Sequence, residues 1–574
     1  MELFSNVLNI LETKDKTHFF ILLFVIFISM ILEMLSIGLI VPIITLIINS
    51  SESFLNNYNF WLLEDILNKS KESQIMIVLS IFVTVYFLKS LYFTFLTIYL
   101  NTFSYNLKAK ISKNLFQTYL NKKFNFFIEN NSSILLRNIK DEPDLFVNQV
   151  FKPLLLLFVD CFLIVGIICV LIFYEPLISI SVIILFLFIG TIFIKLTNKN
   201  ITNQGLIRQK NDAQRIKNLT QAFNNIIEIL ILNVKKTILD KYNQPNSKSA
   251  NATKINTIYQ ELPRVWLEMV GVAGILIVSS SMFYLDRNLD EIIPVLGLFS
   301  LAAFKILPTS NRILASLTSI KFGKPIIKII KKNLQKKTLI NKRNININFK
   351  KKIIFKNVSF SFSKKKNKKE IFKNLNLTID KNSSVAIIGE SGSGKSTLLN
   401  LLLGFFNPTS GKILIDNKDL NYISGGWLNN IGYVSQLTNI IDDSIKRNIA
   451  FGIEDHLIDK RKIFEVIKKS NLSNFVKKLP KGINTILGEK GVKISGGQRQ
   501  RISIARALYN NPSLIIFDEA TNALDVSTEN NIIDEIIKLK KEKTVIFVTH
   551  RTNNLKKFDL VYKVSKHDLK KINL

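Results

Sequence analysis

The sequence predicts an α-helical membrane domain of six transmembrane helices, followed by an α/β domain built around a phosphate-binding loop. Three observations carry this. Long apolar runs fill the chain up to about residue 320 and are absent afterwards. Gly389–Ser396 fits G-x-x-x-x-G-K-[ST] between a strand-like and a helix-like run. "SLIIFDEA", residues 513–520, is a second apolar strand ending in two acids. The boundaries that follow are 1–325 for the membrane domain, 326–350 for a linker and 351–574 for the nucleotide-binding domain.

Six apolar runs, at about 19–48, 75–100, 154–174, 177–195, 265–285 and 292–320, approach or exceed the roughly 20 residues that cross a bilayer. A backbone in lipid must satisfy its own hydrogen bonds, which makes these runs helices. Lys108, Lys110, Lys113, Lys122, Lys123, Arg137 and Lys140 follow the second run, and Lys195, Lys199, Arg208, Lys210, Arg215, Lys217, Lys235 and Lys236 follow the fourth. The turns near Glu175 and at 286–291 carry little excess positive charge. The positive-inside rule therefore predicts cytoplasmic termini and two long cytoplasmic loops. Between the first two runs, Phe54, Tyr58, Leu62 and Ile66 repeat at helical spacing. They predict a short amphipathic helix, either on the outer membrane face or packed on the outer ends of the spans.

The net charge of +34 is spread along the chain rather than gathered in one basic domain, so membrane topology and compositional bias explain it and no nucleic-acid partner is expected. Cys161 and Cys169 share one apolar run, which excludes a disulfide framework. His18, His456, His550 and His567 form no zinc-like spacing. The first apolar run is too long for a cleaved signal.

The second half reads as a nucleotide site. "IIFKNVSFSF" and "IFKNLNLTI" read as strands joined by a charged loop, Lys364–Lys369. Gly389, Glu390, Ser391, Gly392, Ser393, Gly394, Lys395, Ser396 and Thr397 then form an ATP-binding loop. Its glycines let backbone N–H groups close on phosphate oxygens, Lys395 supplies a cation, and Ser396 offers a hydroxyl to Mg²⁺ at a helix N-terminus. Asp518 is the expected second metal partner, acting through water, and Glu519 is placed to polarise an attacking water.

Residues 351–564 resemble the nucleotide-binding domain of an ATP-binding cassette (ABC) transporter. Ser495-Gly496-Gly497-Gln498 matches the core of that family's signature, with Ile494 in place of the usual Leu before it. The resemblance implies that Gln436 in "IGYVSQ" senses the metal, that His550 contacts the γ-phosphate and that Phe362 stacks on adenine. It also implies that Asp525, in a D-loop with Asn522 where Ser is common, makes a dimer contact. In this family the signature of one domain closes on the phosphate loop of another, so two chains are needed: a second copy of this chain is the simplest expected partner, and a different half-transporter is the alternative. Segments at about 122–140 and 222–236 are expected to couple the two domains, by analogy with the family.

Charges inside apolar spans are functional candidates by default. Lys89 and Lys305 lie roughly 20 Å from the outer ends of their spans and Arg312 roughly 30 Å, at 1.5 Å per residue. With Arg264 they form a candidate substrate path. Lys305 and Arg312, seven residues apart, should share one helix face. Glu33, Asp160 and Glu268 are the acids, and Arg264 with Glu268 is spaced to pair. The alternative is that these charges are structural ion pairs or snorkelling side chains. Pro308 and Pro42 are candidate kinks. A row of cations suits an anionic cargo, such as a lipid-borne phosphate or pyrophosphate.

"FISMILEMLSIGLIVPIITL", "ELPRVWLEMVG" and "FKILPTSNRI" are similar to segments of bacterial lipid-linked oligosaccharide flippases. The resemblance implies an ATP-hydrolysing exporter, multi-pass in the cytoplasmic (inner) membrane with its ATPase domain cytoplasmic. The resemblance further implies that the cargo is a polyprenyl-pyrophosphate-linked glycan and that its path runs along Lys89, Arg264, Lys305 and Arg312. Two rival readings are an exporter of lipid A-like lipids, peptides or drugs, and a non-transporting ATP-dependent membrane regulator.

Overall fold

The apolar runs fold as helices, and the helices continue well beyond the apolar residues. The computed structural model describes residues 2–39, 71–284, 289–334, 347–362, 370–520, 526–552, 554–565 and 568–572. It divides into two units, one of Met1–Lys122 with Phe126–Thr338, the other of Leu339–Leu574 with Lys123–Asn125.

The first unit is helical throughout: α1 (Glu2–Leu8), α2 (Thr13–Gly38), α3 (Lys71–Leu120), α4 (Phe124–Glu129), α5 (Ser132–Phe146), a π turn at Val147–Phe151, α6 (Lys152–Tyr174), α7 (Pro176–Asn224), α8 (Ile226–Ile231), α9 (Lys235–Tyr284) and α10 (Leu289–Leu334). Among the described residues, four stretches are long and apolar enough to cross a membrane: Thr13–Gly38, Ile75–Leu120, Ser132–Tyr174 and Lys235–Tyr284. The predicted fourth and sixth spans fall within the helices α7 and α10. The end of the first predicted span, Pro42 and the amphipathic segment Phe54–Ile66 lie outside the described residues, as do residues 335–346 of the predicted linker, whose first nine residues continue α10.

The segments expected to be cytoplasmic loops are mostly helix. α3 has 50 residues, a length of about 75 Å. It continues past the apolar run because Leu107, Ile111, Leu115 and Tyr119 keep a buried stripe at four-residue spacing. α7 and α9 extend likewise, with 49 and 50 residues. The short helices α4 and α8 interrupt these rods within the two expected coupling segments.

Cations counted as loop charge are also built into the helical extensions. Arg137 of α5 is buried, donates from Nη1 to the Gln209 carbonyl at 2.8 Å and reaches Glu142 at 3.3 Å. Arg208 of α7 is buried beside them, 3.7 Å from Asp212.

Small residues set the closest helix contacts. A Cβ on Gly205 of α7 would lie 2.2 Å from the Phe322 carbonyl oxygen of α10, and one on Gly323 would lie 2.4 Å from Val150 Cγ2. Buried serines in the apolar helices bond back to their own turn, Ser29 Oγ to the Ile26 carbonyl and Ser36 Oγ to the Glu33 carbonyl.

The second unit has two sheets. β1 (Lys352–Phe360) pairs antiparallel with β2 (Phe372–Asp380) and β4 (Ser410–Ile415), which in turn pairs with β5 (Lys418–Asp419). The other sheet has the order β10-β9-β3-β8-β7-β6, from Asp568–Ile572, Leu560–Ser565, Ser384–Gly389, Thr544–Thr549, Leu514–Asp518 and Ile431–Val434. All its pairings are parallel except β9 with β10. β3, β7 and β8 read as continuous apolar runs because both faces of this sheet are covered by packed side chains.

The Gly205 contact gives a stability prediction. Gly205→Ala pushes a methyl group into backbone that cannot yield, and costs about 1–3 kcal/mol. Gly190→Ala, where a Cβ meets nothing within 4 Å, is tolerated. Thermal unfolding of the two variants in the same detergent measures the contrast, and equal melting would remove the close contact as its cause.

Candidate functional site

Three adjacent parallel strands bring the nucleotide residues together. β3 runs into the phosphate loop, β7 ends at Asp518 and β8 ends just before His550. Because these strands are parallel neighbours in the order β3-β8-β7, their carboxyl ends share one edge. Ligands of open α/β sheets sit at such an edge.

The phosphate loop is shaped by glycine. Gly394 has φ +112° and caps the helix α11 (Lys395–Leu402). A Cβ there would meet the Phe372 ring at 3.0 Å. Lys395 is buried and donates to the carbonyls of Gly389 at 2.8 Å and Glu390 at 2.9 Å. Burial holds its ammonium below the usual lysine range, opposed by Glu519 and Asp518. Ser393 Oγ is buried with no hydrogen-bond partner among the described residues, and a phosphate oxygen would satisfy it. Ser396 is exposed, and Thr397 is half-buried on the same helix.

Glu519 is held by the groups expected to meet nucleotide. Gln436 Nε2 donates to Glu519 Oε2 at 2.8 Å, His550 Nε2 meets Oε1, and Lys395 Nζ is 3.9 Å from Oε1. His550 Nδ1 lies 2.9 Å from the Gly389 carbonyl oxygen, which ties the strand-end histidine to the phosphate loop. Glu519 has φ +50°, a left-handed backbone that costs a non-glycine residue about 1–2 kcal/mol. Its N–H donates to the Val548 carbonyl at 3.0 Å, and this sheet bond keeps the conformation.

Asp518 has a partner that the sequence did not suggest. The Tyr433 hydroxyl donates to Asp518 Oδ2 at 2.7 Å. Burial pushes the Asp518 carboxyl above the ordinary carboxylate range, the Tyr433 hydroxyl draws it down and the Glu519 charge adds to the rise. Tyr433 sits three residues before Gln436 on β6, and only the pairing of β6 with β7 brings it to Asp518.

Ser495 is the N-cap of α12 (Gly496–Tyr509). Its Oγ accepts from the Gln498 N–H at 3.3 Å, while Gln498 Oε1 accepts from the Ser495 N–H at 3.0 Å. This capping box fixes the signature core. Phe362 is exposed, edge-on to Phe360 and Phe406 at 5.3 and 5.5 Å. Asp525 and Asn522 lie outside the described residues.

In the first unit, a cavity of about 680 Å³ is lined by residues that include Glu33, Arg264, Glu268, Lys305, Pro308 and Arg312. Lys305 and Arg312 thus open into the same space from one helix. Every candidate path cation has an acidic partner. Lys89 is buried 2.7 Å from Oε2 of Glu33, which itself lines the cavity. Lys305 is 3.4 Å from Glu33, Arg312 is 2.7 Å from Asp160, and Arg264 is 3.1 Å from Glu268. The predicted Arg264–Glu268 spacing is used, and the row of cations is also a row of ion pairs.

Residues 372–522 match the ABC transporter family. A Rickettsia prowazekii protein named as an export ATP-binding/permease protein is 41% identical over 215 residues, 37% of this chain and 37% of that protein. A Staphylococcus aureus protein named as a multidrug export ATP-binding/permease protein is 41% identical over 202 residues, 35% of each chain. The match thus spans well under half the length of these relatives. A solved bacterial Atm1-family ABC exporter with ATP bound superposes with a TM-score of 0.75 at 20% identity, over 94% of this chain and 93% of that one. The chain therefore has the ABC exporter fold, a helical membrane domain followed by an ABC ATPase domain.

The Tyr433–Asp518 bond carries a pH prediction. Tyr433→Phe removes a donor that favours the ionised carboxylate, so the Asp518 pKa rises further. Any activity that needs this carboxylate ionised is lost as pH falls through that pKa, and in the variant the loss comes at a higher pH. Magnesium-dependent ATP turnover measured across the acid range tests this, and superimposed acid limbs would exclude the role for Tyr433.

Proposed function

We propose that this chain is one half of an ATP-driven exporter of the cytoplasmic membrane, that two copies assemble, and that the cargo is an anionic lipid-linked molecule of the polyprenyl-pyrophosphate glycan class. The observation that carries the cargo reading is the pair Lys305 and Arg312 opening into one cavity. The chain that holds this cavity also carries the full set of phosphate-loop, signature and strand-end residues. The helical membrane domain and the family match over 372–522 support the export reading. The relatives' names, export and multidrug export, agree with transport but leave the cargo open.

In this reading the loop N–H groups and Lys395 bind the ATP phosphates, and Phe362 lies against the adenine. Mg²⁺ would be held by Ser396, Asp518 and Gln436, and it supplies neutralising charge on the phosphates. ATP draws Lys395 and His550 toward phosphate and so releases Glu519 to orient the attacking water. Ser495-Gly496-Gly497-Gln498 of the second copy completes each site, with Asp525 at the contact between copies. The α4 and α8 segments couple this closure to the membrane helices. A lipid tail remains in the bilayer while its headgroup follows the cavity cations.

Glu519→Gln keeps the hydrogen-bonding shape but loses the base, so ATP turnover falls by at least about a hundredfold while ATP binding persists. Lys395→Ala loses binding itself. Equilibrium ATP binding alongside phosphate release separates the two, and normal turnover in Glu519→Gln would end its assigned role. For cargo, proteoliposomes receive a polyprenyl-pyrophosphate glycan, a lipid A-like lipid or a hydrophobic drug. The expected result is stimulated hydrolysis and flipping with the first alone. Stimulation by the drug alone would replace this reading with multidrug export.

A further inference from the structure

The cavity cations are anchored by two carboxylates that the export reading leaves without a role. Glu33 on α2 and Asp160 on α6 have side chains only 6% and 2% exposed, whereas their partners Lys305 and Arg312 on α10 are 41% and 48% exposed. Each acid thus sits behind its cation. Arg312 donates to a single oxygen, Asp160 Oδ1, from Nε at 3.0 Å and Nη2 at 2.7 Å, and Nη2 also donates to Thr309 Oγ1 at 3.1 Å. Its Nη1 has no hydrogen-bond partner among the described residues. Glu33 is shared between two lysines. Lys89, buried and donating to Ser36 Oγ at 2.8 Å, balances the Glu33 charge and leaves that of Lys305 in surplus.

We infer that Glu33 and Asp160 are positioning residues that hold Lys305 and Arg312 by their inner sides and turn their open sides to an anion in the cavity. The inference rests on the reading that the cavity takes an anionic group. Long cationic side chains lose rotamer freedom when they bind, and a fixed carboxylate removes part of that loss beforehand. Each anchor comes from a different helix, so the two cations keep their separation along α10.

A purely neutralising role predicts the opposite sign. Removing an acid beside two cations makes the cavity more positive and should tighten anion binding. Removing a positioning acid loosens binding, because the cation is then free to turn away.

The test is equilibrium binding of polyprenyl pyrophosphate and of the matching polyprenol to the full-length protein in detergent. It compares the parent with Asp160→Leu, Asp160→Glu and Glu33→Gln. Glu33→Gln removes the charge of the acid, keeps its shape and leaves every cation in place, so it carries the test even where Asp160→Leu fails to fold by thermal unfolding. The expected result is about tenfold weaker binding of the pyrophosphate lipid by Asp160→Leu and Glu33→Gln, from loss of a charged hydrogen bond, with partial recovery in Asp160→Glu. Equal or tighter binding by both would overturn the positioning role and leave the anionic reading intact. A parent protein that binds the pyrophosphate lipid and the polyprenol alike would overturn the anionic reading and this inference with it.

Discussion

A charge taken out of water must find a partner, and both halves of this chain are organised by that constraint. In the membrane half, Glu33 is 5% exposed and Asp160 1%, and each faces a cation across a helix boundary. In the nucleotide half, buried Lys395 is turned onto backbone carbonyls and Glu519. Neither arrangement adds much net stability, since desolvation offsets most of the attraction. What the pairing does is allow charges to sit where a ligand can reach them.

It follows that binding here is an exchange of partners. Lys395, Gln436 and His550 already hold Glu519 or the phosphate loop. An arriving phosphate competes for groups that are satisfied, so its gain is the difference between two sets of contacts. Such exchange limits the affinity of a wrong anion more than that of one that engages every group at once. The strained backbone of Glu519, fixed by the Val548 carbonyl, keeps the carboxylate at the strand edge while its partners change.

The legible and illegible parts of the sequence divide along the same line. Gly389–Ser396, Asp518, Glu519 and Ser495–Gln498 could be read because each motif is local, a turn or cap whose chemistry is complete within a few residues. Lys305 and Arg312 could be placed on one face because helix geometry relates residues seven apart. Partners across elements were hidden. Nothing in "IGYVSQ" indicates that Tyr433 meets Asp518, and nothing local to Lys89 indicates that the packing of α2 on α3 sets Glu33 against it. The helical extensions read as loops in the sequence because a transmembrane reading looks for apolar runs. The thin stripe of Leu107, Ile111, Leu115 and Tyr119 is enough to bury one face of a rod whose other faces are polar.

Helix α10 joins these features. Near its middle it carries Lys305 and Arg312 into the cavity; about two to three turns beyond Arg312 it is locked by close contacts. Ser319 Oγ donates to the Gln149 carbonyl at 3.0 Å, the Phe322 carbonyl oxygen lies where a Cβ on Gly205 would be, and Gly323 sits against Val150. Close-packed contacts of this kind shift between discrete arrangements rather than deform. In the proposed export reading, a displacement of α10 at Phe322 would reach Arg312 along the helix, and Lys305 past Pro308, whose missing N–H removes one rung of the helix, while Asp160 and Glu33 stay on α6 and α2. The same helix that presents the cations is the one whose movement would draw them from their carboxylates, and that would link the release of a bound anion to helix position.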